Sequence, residues 1–218
     1  MMDSTKGLVN HRGFRKAMEL ARQKLQHTDF ARQCQQAGAL MVEADAGHAR
    51  ARLKFIDADY LVDFPSGDVS KVGTGREPPP YDTILILHYL AQARGAPFAG
   101  DWISFQQLPD SCLHYPAFRK RVTSILARTF SGKPEDFMRA GSAVAATLSP
   151  LGQYALEIRA LPRVSCHLLM WPGEDELDTD FNCLFDSSIT EYLQAEDIML
   201  LAAVLTSRMV ANCKPRPN

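Results

Sequence analysis

The chain has few of the features that announce a cofactor or a membrane. Its five cysteines stand at 34, 112, 166, 183 and 213, and no C-x-x-C pair occurs. Zinc ribbons and iron–sulfur centres take closely spaced ligands from tight loops, so a self-contained site of either kind is not expected. An odd count at wide spacing also argues against a disulfide framework, and reduced thiols point to a reducing compartment. Long apolar runs are missing: Thr83-Ile84-Leu85-Ile86-Leu87 is far short of a membrane span. The N-terminal stretch has scattered charges and no apolar core of signal-peptide length, so a cytoplasmic protein is expected. Excess charge of one sign is missing as well. With 24 basic against 25 acidic side chains the net charge is -1, which gives no long-range field for a polyanion, and no nucleic-acid partner is expected. Nucleotide-binding glycine loops, H-E-x-x-H and G-x-S-x-G are all absent. Gly73-Thr74-Gly75 leads into prolines instead of a helix, so it cannot present helix-end amides to a phosphate.

What is present describes a globular α+β protein. Hydrophobic content of 46% and charged content of 22% sit at the average for folded domains. Residues 12–37 carry one apolar stripe through Met18, Ala21, Leu25 and Phe30. It predicts one helix, or two split at Thr28, stopped by Gly38. Alternation over Arg50–Phe55 and the run Tyr60–Phe64 predict an antiparallel meander, with turns at Gly47-His48 and Pro65–Asp68. Residues 73–80, ending in three prolines, form the expected linker. Asp82 is placed to cap a helix over Thr83–Arg94, apolar nearly all round and therefore central. A strand over Trp102–Leu108 follows, then a helix from Pro116 to Phe130 and a short one from Pro134. Tyr154–Arg159 and Val164–Trp171 flank a corner at Leu161-Pro162, Asn182–Phe185 is one more strand, and Ser188-x-x-Glu191 opens a C-terminal helix pair. The antiparallel strands fall in two groups, so the expectation is one domain over 1–218: a helix-plus-meander part to residue 72, the linker 73–80 and a core over 81–212.

Three constellations could carry chemistry. His88 and Tyr89 lie on the central helix, with Trp102, Phe105, Cys112, His114, Tyr115 and Arg119 downstream; they suit a flat cofactor, a metal or a general acid–base pair. The alternative is structural, since a lone histidine in an apolar helix can simply bond a nearby carbonyl. Cys166 and His167 are adjacent on a strand and point to opposite faces, so they cannot share a metal. The acidic run Glu174, Asp175, Glu176, Asp178 and Asp180 lacks the spacing of a calcium loop and suits a solvated surface. The same holds for the basic run Arg119-Lys120-Arg121, read as a solvated helix face. Asp186 is a helix-capping residue and a secondary polar candidate.

Four segments, LHYLAQARGAPFAGDWISFQQLP, YPAFRKR, ALPRVSCHLLMWPGEDEL and LFDSSITEYLQAEDI, occur in this order. Together, over roughly residues 80–210, they resemble the family named domain of unknown function 3786, met in anaerobic bacteria and archaea. The resemblance singles out His88, Tyr89, Trp102, Tyr115, Arg119 and Asp186, with Gly100, Phe105, Phe118, Pro162, Trp171, Glu196 and Asp197. Some relatives look like fusions to a cysteine-rich iron–sulfur module of corrinoid and one-carbon enzymes, which this chain lacks, so such a group implies a cofactor-bearing protein partner. The expected function is a non-catalytic binding or accessory protein, with cofactor unknown and a pocket between the central helix and the second strand group. The alternatives are an enzyme using a histidine as general acid–base with Arg119 steadying an anion, and a purely structural interaction module.

Overall fold

The structure, a computed structural model, describes residues 11–45, 47–173 and 179–213. Most of the acidic run (Glu174, Asp175, Glu176 and Asp178) and the tail from Lys214 lie outside the described residues. The architecture is α+β, with two antiparallel sheets and a long C-terminal helix.

Helices α1 (His11–Gln26) and α2 (Phe30–Ala37) break at Thr28, where Asp29 accepts from the Arg32 amide and caps α2. Gly38, at φ 67°, ends α2 in the left-handed conformation that a side chain resists. The chain then runs as a meander, β1 (Leu40–Asp45), β2 (His48–Phe55), β3 (Ala58–Phe64) and β4 (Val69–Lys71), paired in sequence order. The β2–β3 hairpin tip holds Ile56 at φ 56°, a strained conformation for a β-branched residue. The side chain is buried and its N–H donates to the Ala160 carbonyl at 2.8 Å, which docks the hairpin on the second sheet.

Helix α3 (Pro80–Gln92) begins three residues earlier than expected. Pro80 takes the first helical position, where its missing N–H is no loss, and Pro79 stands as the cap. Asp82 is therefore not the cap but a first-turn residue, and it is buried. Nine of the residues from Asp82 to Ala91 are buried, and the helix packs against α1, α2 and the C-terminal helix α7 (Ala195–Cys213).

The second sheet has the order β5-β9-β8-β7-β6: β5 (Trp102–Ser104), β6 (Thr147–Leu148), β7 (Tyr154–Leu161), β8 (Val164–Trp171) and β9 (Asp180–Asp186). The strand expected over Trp102–Leu108 stops at Ser104, because the Gln107 side chain accepts from the Ser104 amide and closes a 3-10 turn. The helix expected from Pro116 is two helices, α4 (Ser111–Arg121) and α5 (Thr123–Phe130), separated at Val122 (φ -117°, ψ -81°), with Pro116 inside α4. Helix α6 (Pro134–Ala140) follows, and α5 and α6 lie on the inner face of this sheet. The first member of the expected C-terminal helix pair is only a 3-10 turn, Ser187–Glu191; Asp186 accepts from the Ser188 amide and hydroxyl and takes the capping role assigned to Ser188. One continuous cluster of buried side chains joins both sheets and the helices.

Candidate functional site

The residues singled out from the sequence separate into different jobs. Tyr89 is fully buried: its hydroxyl donates to the Ala37 carbonyl at 2.5 Å and accepts from the Arg163 amide at 3.1 Å. Its ring stacks on Tyr192 at 5.6 Å, so it ties the end of α2 and the β7–β8 corner to α3. Asp186 is 2% exposed. Burial pushes its pKa up, but bonds from the Ser188 hydroxyl and the amides of Ala99, Gly100 and Ser188 outweigh it and hold the carboxyl below its usual range. That carboxylate clamps the loop before β5. Tyr115 is half-buried, with its ring 6.4 Å from Phe118, which stacks on Phe105. His114 is half-buried in α4.

Trp102 meets His167 edge to face, with ring centres 3.9 Å apart. Cys166 and His167 do face opposite sides of β8: Cys166 faces Cys183 in the core, while His167 lies on the Trp102 side. His167 is 2% exposed and neither ring nitrogen has a hydrogen-bond partner among the described residues. Burial lowers its pKa, with Glu157 opposing, so the neutral ring is favoured.

His88 and Arg119 do not converge. His88 Nδ1 stands 2.7 Å from Asp197 Oδ1 on α7, while Arg119 is exposed on α4 and no hydrogen bond or ion pair joins them. A carboxylate accepts from Nδ1–H, which leaves Nε2 free as an acceptor. Of the five main hollows among the described residues, none is lined by His88 or Arg119 and none lies between α3 and the second sheet. Packing is the reason, since Leu85, Ile86, Leu87, Tyr89 and Leu90 leave no space on α3's buried side.

The largest of these five, about 1070 Å³, is a groove bounded by α4, α5 and the second half of α7. Ile125, Phe130, Ala203 and Val210 give it an apolar floor. Lys120, Arg121, Arg128 and Lys133 stand along it, and none of the four forms an ion pair among the described residues. Its single carboxylate, Asp136, is already paired with Arg139. The basic run thus divides: Arg119 stays in solvent, and Lys120 and Arg121 turn into the groove. The signal that marks this site is local. Between Asp110 and Glu135 the chain has five basic residues and no acidic one, which the balanced overall charge conceals.

An unpaired basic rim favours an anion and an apolar floor favours an apolar body. No curated protein matches the chain, and no solved structure does. A family profile described as a domain of unknown function spans residues 29–208, and so includes every wall of this groove up to Arg208 on α7. The chain belongs to that family, domain of unknown function 3786.

Proposed function

We propose that the protein is a non-catalytic binding protein that receives an anionic ligand with an apolar body in the α4–α5–α7 groove. One observation carries this reading: four cations face an apolar-floored hollow in which, among the described residues, no free carboxylate neutralises them. Exposed like charges gathered without counter-ions repel one another, and an anionic ligand relieves that repulsion. The accessory role expected from the sequence stays part of this proposal, with any corrinoid or iron–sulfur group carried by a cofactor-bearing partner protein. Calorimetric titration with octyl phosphate and with octyl glucoside tests the reading. The phosphate is expected to bind, more weakly at high salt, and the neutral glucoside is not. Equal binding of both, or no binding of either, removes the reading.

The His88–Asp197 pair favours a second reading, an enzyme with His88 as general acid–base. The carboxylate fixes the ring, and a quarter of the His88 side chain is exposed. Arg119 takes no part in that pair. A substrate screen with His88→Gln and Asp197→Asn decides this reading: turnover lost in both supports it, and turnover retained in both ends it.

A further inference from the structure

The length of the groove identifies its occupant more closely. At one end the Arg121 guanidinium reaches the Met199 sulfur at 3.9 Å. At the other, the Cys213 thiol meets the Asp136 carbonyl at 3.8 Å, and Lys133 lies one turn before Asp136. Met199 and Cys213 belong to the same helix, and with a rise of 1.5 Å per residue the stretch of α7 between these two contacts is about 20 Å long. A single phosphate or carboxylate head group is only a few ångströms across. It would satisfy one cation and leave the others bare.

We propose that the groove docks an acidic amphipathic α-helix of a partner protein, about four turns long; this rests on the groove being the binding site. Such a helix places apolar residues at i, i+3, i+4 and i+7 on the floor formed by Ile125, Phe130 and Val210. Asp or Glu residues flanking that stripe face the cations that line the groove. An extended strand suits the site less, because the walls are helices whose backbone groups are bonded internally and offer no edge to pair with. The site is a hollow of about 1070 Å³ instead of a flat face, so a bilayer surface fits poorly.

Selection from a display library of helical peptides on the full chain, with charge left free to vary, tests the occupant. The expected winners carry carboxylates at helical spacing beside an apolar stripe. Each single reversal, Lys120→Glu, Arg128→Glu and Lys133→Glu, is expected to weaken the best peptide by about five- to tenfold, because the contacts are distributed along the groove. A ligand held by one head group would lose its binding at one position and keep it at the other two. Octyl phosphate and phosphatidylserine vesicles are run alongside. Winners with no helical repeat of carboxylates, insensitivity to two of the three reversals, or vesicle binding as tight as the best peptide each overturn the helix. Octyl phosphate binding without any peptide winner also overturns it but leaves the groove reading intact; no binding of octyl phosphate removes the groove reading and the helix with it.

Discussion

The two flanks of α7 are built on opposite rules. On the flank facing α3, charges are matched. Arg208 bonds Asp82 at 2.5 Å and Asp57 at 2.6 Å and lies over the Phe55 ring, while Asp197 holds His88. One guanidinium thereby fastens the β2–β3 hairpin tip to the first turn of α3. Burial pushes the Asp82 carboxyl up despite Arg208, a sign that removal from water costs this group heavily and that its partner is required. On the flank facing α4 and α5, four cations line a hollow over apolar side chains, and none forms an ion pair among the described residues. Matched charge on one side of a helix holds a fold together; unmatched charge on the other leaves a surface for something else to complete.

The largest expected effect breaks the matched flank. Arg208→Met leaves Asp82, 3% exposed at its side chain, without a cation, and denaturant unfolding is expected to show a loss of about 3 kcal/mol. A loss under about 1 kcal/mol would mean that packing alone holds α3 to α7. Asp197→Ala removes the acceptor for His88 and is expected to cost about 1–2 kcal/mol in the same assay. A third variant stands away from both flanks and sharpens the contrast by pH. Burial holds the pKa of His167 below 6.5, so the unfolded chain takes up the proton first. Stability from this site is full above pH 6.5 and falls as the pH drops through that value toward the folded pKa. His167→Leu is expected to flatten that part of the stability profile; an unchanged slope would assign it to other groups. The smallest effect belongs to the open flank. Arg128→Glu is expected to change stability by no more than about 0.5 kcal/mol, whereas a cation that held the fold would cost several times that.

Much of the fold was legible because its signals are local. Gly38 closes α2, alternation marks β2 and β7, and the all-round apolar character of α3 announces its central place. The failures came where a distant partner or an exact boundary decides. Asp82 suits a helix start as cap or as first-turn residue alike, and only Arg208, 126 positions away, shows which role it plays. The strands β4 and β6 are three and two residues long and exist through pairing rather than pattern. At the site, His88 was visible as a polar residue on an apolar helix, and Asp197 lay in a family-like segment. Their union spans 109 positions and carries no spacing signal. Arg119 was favoured over Lys120 and Arg121, yet the turn of α4 sends those two inward. Reading that turn required the helix break at Val122, which a continuous helix from Pro116 to Phe130 hides.

The most direct test of the open flank is amide chemical-shift mapping of the isotopically labelled chain during titration with octyl phosphate. The groove reading predicts saturable shifts concentrated in residues 117–136 and 203–213, with His88, Asp197 and His167 unmoved. Shifts centred on His88 and Asp197, or scattered without saturation, would contradict it.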